Sequence, residues 1–185
     1  MQMTPEKSFQ IITEMISDTR EKFHQQAFFL LLWGWIVAIA GLTHYLVAEF
    51  TTFAHPYYAW GLVIVGIIVS AIHGYNIGKR KQYKSHLERI VMFVWIAFLI
   101  SYFVLIFHME KINYQVTPLI FLMAAIATFT SGIILKFKPL IYGALFMWVM
   151  AFAQFYLPYN YQLLSIPVTI TIGYLIPGYM LKAKE

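Results

Sequence analysis

Histidines are the side chains in this sequence that could do the most varied chemistry. The six are His24, His44, His55, His73, His86 and His108. An imidazole can carry a proton or bind a metal, and two imidazoles from neighbouring helices can hold a haem iron. No two histidines are four residues apart, so none share one face of one helix at metal-site spacing. A haem or metal site would therefore pair His44 with His108. A second such pair would be His73 with His24.

Other polar side chains within the apolar stretches indicate a different kind of site. The candidates for a polar pathway or ligand-binding site are Ser70, His73, Asn76, His44, Ser101 and Gln154. No Asp or Glu lies inside an apolar stretch, whereas carriers driven by protons or cations usually place a carboxylate at mid-membrane. The pattern disfavours an ion-coupled pump. Single Ser or Gln side chains in a membrane usually hydrogen-bond to neighbouring helices.

The stretches that must position these residues have the length and composition of membrane spans. Of 185 residues, 61% are hydrophobic and 11% are charged, against about 25% charged in a soluble domain. Six stretches are each close to the length that crosses about 30 Å of hydrocarbon as a helix. They cover residues 27–47, 57–78, 90–107, 117–135, 139–157 and 161–181. The sequence thus predicts an all-α polytopic membrane protein, with a six-helix bundle over residues 27–185.

Basic residues predict the orientation of this bundle. Twelve of the thirteen Lys and Arg residues lie in four segments, 1–26, 79–89, 136–138 and 182–184, and the remaining one is Lys111. Because loops rich in Lys and Arg stay in the cytoplasm, we predict three outward hairpins with both termini inside. Cations placed in this way are topology signals, so the net charge of +5 does not indicate nucleic-acid binding.

Residues 1–26 predict a separate cytoplasmic amphipathic helix. Thr4 followed by Pro5 resembles a helix start. The apolar residues Phe9, Ile12, Ile16 and Phe23 then recur at helical spacing. The segment lacks the order of basic region, apolar core and cleavage site that a signal peptide has. Such a helix could lie on the inner membrane surface, pack against the protein's own basic loop, or dock onto a partner protein.

Small residues at four-residue spacing predict close helix packing. The second stretch carries Gly66, Ser70, Gly74 and Gly78, and the fourth carries Ala124, Thr128 and Gly132. Such faces let helix backbones approach closely in lipid. We therefore expect the even-numbered helices to lie at the centre of the bundle. Pro177, four residues after Gly173, predicts a kink near the inner end of the sixth helix.

The odd-numbered stretches share a weak internal repeat. They contain WIVAIAG from Trp35, WIAFLIS from Trp95 and WVMAFAQ from Trp148. A triplicated helical hairpin would explain the similarity. Membrane constraints common to all helices of one direction explain it as well.

The stretch FFLLLWGW from Phe28, preceded by the charged helix, resembles a group of small, uncharacterised multi-spanning membrane proteins of bacteria. The resemblance implies the bacterial inner membrane, because helical bundles populate inner rather than outer membranes. It implies no activity, cofactor or site.

The apolar stretches contain no Asp or Glu, and the sequence shows no arrangement of a nucleophile with a base. Both observations favour a non-enzymatic interaction or regulatory component over an enzyme. Its expected partners are the lipid bilayer and a protein at the cytoplasmic face, and an oligomer is compatible with the sequence. No cofactor is expected on this interpretation, and the lack of Cys excludes disulfides and thiolate metal sites. The alternatives are an uncoupled transporter or channel for small molecules or lipids, and a histidine-ligated haem or metal protein.

Overall fold

The structure is a computed structural model that describes residues 5–80 and 86–183, with side chains for residues 24–79 and 89–183. These residues form helices joined by short connections. The helices are α1 (Pro5–Phe50), α2 (Leu62–Arg80), α3 (His86–Phe107), α4 (Val116–Ile134), α5 (Lys138–Gln154), α6 (Tyr159–Ile170) and α7 (Ile176–Lys182). A π-helical turn, Thr171–Leu175, joins α6 to α7 without a break. The two therefore form one continuous helix, in which the hydrogen-bonding register changes at this turn. Short 3₁₀ turns occupy Pro56–Gly61 and Met109–Ile112.

Five helical segments are long and apolar enough to cross a membrane. They are His24–Phe50, Pro56–Lys79, Arg89–Phe107, Val116–Ile134 and Tyr159–Lys182. The prediction of an all-α, multi-spanning membrane protein is therefore confirmed. The stretch predicted over residues 139–157 is the 17-residue helix α5, which is shorter than those five. A sixth crossing and the arrangement in three hairpins stay predictions.

Helix α1 unites the predicted N-terminal helix with the predicted first span. Its described part runs for 46 residues, Pro5–Phe50, and the predicted start at Thr4 lies at the edge of the described residues. No Gly or Pro lies between Pro5 and Gly34 to interrupt the helix. The side chains of the predicted amphipathic stripe lie outside the described residues, as do most of those in segment 79–89. A division into units 1–26 and 27–185 stays a prediction.

The central helices are α1, α4, α5 and α6 with its continuation α7. Helix α1 packs along α6 and α7, α5 packs against both α4 and α6, and α3 packs chiefly on α4. Buried residues make up 44% of the α4 span and 56% of the α6–α7 span, but only 6% of the α2 span. The expectation that all even-numbered helices are central is therefore wrong for α2, because α2 packs chiefly on one side of α1.

The predicted packing glycines divide into two groups. A Cβ built on Gly66 would meet Ile36 and Trp33 of α1, and one on Gly132 would meet Ile141 of α5. Gly74 and Gly78 have no atom within 4 Å of such a Cβ in the part of the chain that is described. Close packing of Gly74 and Gly78 therefore stays a prediction, and it would require a neighbour other than the described residues.

The closest backbone approach joins α5 to the π-helical turn. A Cβ on Gly143 would lie 2.9 Å from the carbonyl oxygen of Gly173 and 3.1 Å from its Cα. The same turn breaks α-helical register just before Pro177, where the sequence predicts a kink, and such turns are a common cause of kinks. Gly173 thus permits the close contact with α5 and also leaves room for the ring of Pro177, four residues later.

Indole N–H groups attach the two sparsely packed helices. Trp33 Nε1 donates to Ser70 Oγ at 3.1 Å and joins α1 to α2. Trp95 Nε1 donates to Ser131 Oγ at 3.2 Å and joins α3 to α4. An indole N–H has no acceptor in lipid, so each bond satisfies a group that would otherwise be unpaired.

Replacing Gly143 with Ala should destabilise the fold by about 1–3 kcal/mol, because two backbones would have to separate to admit the methyl group. Gly74→Ala is the matched control, since its Cβ meets open space and Ala favours a helix by up to about 1 kcal/mol. The measurement is the free energy of unfolding in mild detergent. Equal effects at the two positions would contradict the packing described here.

Candidate functional site

The most organised cluster of polar and titratable groups lies where α1, the Pro56–Gly61 turn and α6 meet. His44 of α1 is 5% exposed, and Trp60 Nε1 of the turn donates to its Nδ1 at 2.9 Å. The Tyr159 hydroxyl, at the start of α6, lies 3.5 Å from His44 Nε2. One turn beyond along α1, Glu49 Oε2 accepts from Asn160 Nδ2 at 2.8 Å. The cluster therefore ties α1 to two neighbours, the Pro56–Gly61 turn through Trp60 and the start of α6 through Tyr159 and Asn160.

The bond from Trp60 determines the tautomer of His44. Because Nδ1 accepts the indole proton, the neutral ring must carry its own proton on Nε2, facing the Tyr159 hydroxyl. Neither ring nitrogen then offers a free lone pair to a metal. Ligation of iron or zinc by His44 would require Trp60 to move away or Nε2 to lose its proton.

The structure does not bring His108 to His44. His108 is exposed after the end of α3, and its Nδ1 lies 2.9 Å from the carbonyl oxygen of Val104 one turn earlier. The ring contacts of His44 are instead with Trp60 and Tyr159. No group of three or more His, Cys, Asp or Glu residues could hold a metal ion in the described ranges 24–79 and 89–183.

The candidate polar residues of α2 are used in three different ways. Ser70 accepts the hydrogen bond from Trp33. The His73 ring stacks on Phe28 of α1 with centroids 3.8 Å apart, and its buried Nε2 has no hydrogen-bond partner among the described residues. Asn76, three residues after His73, is exposed. Two of the three therefore serve the α1–α2 contact.

Gln154 belongs to a buried network at the end of α5. Its Nε2 donates to Ser165 Oγ of α6 at 2.8 Å, whereas its buried Oε1 has no partner in the part of the chain that the structure describes. Gln162 Nε2 lies 3.0 Å from the carbonyl oxygens of both Gln154 and Leu157. Carbonyl groups at a helix C-terminus lack intrahelical donors, so Gln162 supplies them from the next helix. The network is a cap for α5.

The candidate pathway residues have different described surroundings. Ser101 is half-buried on α3, Gln154 lies between α5 and α6, and His44 lies with Trp60. A groove of about 410 Å³ runs along α1, but its lining includes none of the six candidates. Ser70, His44 and Gln154 make hydrogen bonds to neighbouring segments, and a pathway shared by the six residues stays a prediction.

Several residues of these clusters were not singled out from the sequence. Trp60 stands near the outer end of the second stretch, where an aromatic residue is typical of the membrane interface, although its indole donates to His44. Gln162 and Ser165 could have been noticed, since they stand three residues apart in an apolar stretch. The pairing of Trp33 with Ser70, 37 residues along the chain, carries no local signal.

No protein family matches the chain, and no curated protein or solved structure is significantly similar to it. Of the resemblance based on the first span, only the general statement is therefore supported. The chain is that of a small multi-spanning helical membrane protein.

Replacing His44 with Ala should lower the stability of the fold by about 1–3 kcal/mol, since the buried Trp60 N–H would lose its acceptor. His55→Ala is the matched control, because His55 is exposed and bonds only its neighbour Tyr57 among the described contacts. Thermal unfolding in detergent, followed by tryptophan fluorescence, measures both. Identical melting curves for the two variants would refute a structural role for the His44–Trp60 bond.

Proposed function

We propose that the protein is a non-catalytic interaction or regulatory component of the bacterial inner membrane. On this proposal its partner surface is the N-terminal part of α1 together with segment 79–89, both in the cytoplasm. The observation that carries the proposal is the length of α1. Its first 19 residues precede the candidate span His24–Phe50 as part of the same helix, and they extend about 28 Å beyond it.

The continuity of α1 favours partner docking over a position flat on the membrane. A helix that turned to lie along the inner surface would need a break near residue 24, and breaks are almost always caused by Pro, Gly or an inserted group. The sequence offers neither Pro nor Gly between Pro5 and Gly34. An apolar stripe on a projecting helix needs a protein surface to cover it.

The other two interpretations gain less support from the side-chain geometry. A transporter or channel needs its polar residues in one cavity, whereas Ser70, His44 and Gln154 make separate contacts with different neighbours. A haem site at His44 needs a free imidazole lone pair, and both nitrogens of His44 face hydrogen-bonding groups. The second pair, His73 with His24, is not disfavoured in this way, because His73 Nε2 has no partner among the described residues. Visible absorption of the purified protein remains the inexpensive test for haem.

The proposed topology has six crossings with both termini cytoplasmic. The stretch 139–181 contains no Asp, Glu, Lys or Arg and includes both α5 and the final helix. Helix α5 measures about 25 Å, at the lower limit of a span, and packs between α4 and α6. A buried apolar helix of this length between two candidate spans supports a sixth crossing.

Single-cysteine labelling tests this topology without a background signal, because the chain contains no Cys. Tyr156→Cys, on the exposed segment after α5, should react with a membrane-impermeant maleimide in intact cells. Lys136→Cys, on the exposed turn before α5, should react only after the membrane is opened. Labelling of both positions from the same side would show that α5 does not cross.

Two matched double variants test the partner surface. Ile12→Glu with Ile16→Glu places charge on the predicted apolar stripe, and should remove a second polypeptide that co-purifies with the wild type in native mass spectrometry. Gln10→Glu with Ser17→Glu adds the same charge at neighbouring positions off the stripe and should leave that polypeptide bound. A bare wild-type mass, or equal retention by both variants, would overturn the proposal.

A further inference from the structure

The groove along α1 is a long, narrow slot in the candidate membrane region. Residues of one face of α1 form its floor, including Phe28, Leu32, Ile36 and Ile39. Leu62 of α2 and Lys182 of α7 also line it. From the level of His24 to that of Ile39 the slot measures about 22 Å along the helix axis.

The walls of this slot are held in place by direct contacts on both sides. On the α2 side, a Cβ built on Gly66 would lie 2.8 Å from Ile36. On the α7 side, a Cβ on Gly178 would lie 3.0 Å from Leu31, and Trp35 Nε1 donates to the Tyr179 hydroxyl at 3.1 Å. The slot therefore exists before any occupant enters, which lowers the ordering cost of binding.

The lining of the slot selects the kind of occupant. Its volume is about 410 Å³, and apart from His24 and Lys182 the residues that line it are apolar or aromatic. An extended hydrocarbon chain would meet apolar side chains along the length of such a slot. The slot is also longer than the half-thickness of the hydrocarbon core, about 15 Å, so a chain held in it would lie extended.

The charge of the slot selects the headgroup. Lys182 is exposed at the predicted cytoplasmic end and contributes the charged ammonium group to a lining that is otherwise mostly apolar. The acidic phosphates of the cytoplasmic leaflet attract such a cation at about 1 kcal/mol per charge. An acyl chain in the slot would place its own headgroup beside this end.

We propose that the slot between α1, α2 and α7 binds one acyl chain of a phospholipid, with the anionic headgroup beside Lys182. This site is independent of the proposed partner surface. Its ligand is a phosphatidylglycerol-like lipid, whose headgroup carries a net negative charge, rather than a zwitterionic one.

The test is native mass spectrometry of the full-length protein in detergent with equal amounts of phosphatidylglycerol and phosphatidylcholine of the same acyl chains. The wild type should retain one phosphatidylglycerol in preference. Leu32→Trp fills the slot and should lose retention of both lipids, whereas Leu46→Trp is an exposed position on α1 outside the lining and should keep it. Lys182→Gln should reduce the preference for phosphatidylglycerol about fivefold, and Lys138→Gln should not change it.

A second filling variant keeps the test decisive if Leu32→Trp fails to fold. Ile39 is 47% exposed, so Ile39→Trp enlarges a side chain that already faces outward while still blocking the slot. Size-exclusion profiles decide which filling variant is compared with Leu46→Trp. Wild-type retention in the folded filling variant, equal loss in Leu46→Trp, or an unchanged lipid preference in Lys182→Gln would overturn the proposal.

Discussion

Helices in lipid gain no hydrophobic free energy from leaving water, so this bundle depends on close backbone contact and on interhelical hydrogen bonds. The two helices with the least buried surface show this most clearly. Helix α2 is joined to α1 by the Trp33–Ser70 bond, and α3 is joined to α4 by the Trp95–Ser131 bond. Each indole N–H would be unpaired if its helix moved away, and that cost acts as the restraint.

Helix α1 organises the rest of the molecule because most of its neighbours reach it through polar groups. At one end His44 accepts from Trp60, and Glu49 accepts from Asn160. Further along, Trp35 donates to Tyr179 of α7. Of the candidates that the sequence suggested for chemistry, His44 takes part in these bonds, and its role in them explains why a polar residue occurs in the first apolar stretch.

The helices were predictable from the sequence because the membrane imposes both length and hydropathy on each of them. The end of α3 at Phe107 agrees with the prediction. The position of α2 was not predictable. Its stripe from Gly66 to Gly78 has the pattern of a central helix, yet of its glycines only Gly66 meets a described side chain of α1. A stripe shows that a face can pack and does not show which neighbour covers it. The environment of His44 was equally hidden, since Tyr159 is 115 residues away in sequence.

A double-mutant cycle on Trp95 and Ser131 tests the central claim most directly. Trp95→Phe, Ser131→Ala and the double variant would be compared with the wild type by free energy of unfolding in bicelles. The account predicts a coupling energy of about 0.5–2 kcal/mol, the range of interhelical hydrogen bonds in membranes. A parallel cycle of Trp148→Phe with Ser131→Ala should show none, because the ring of Trp148 packs on Phe129 instead. Additive effects of Trp95→Phe and Ser131→Ala would contradict the claim that the indole bond holds α3 to the bundle.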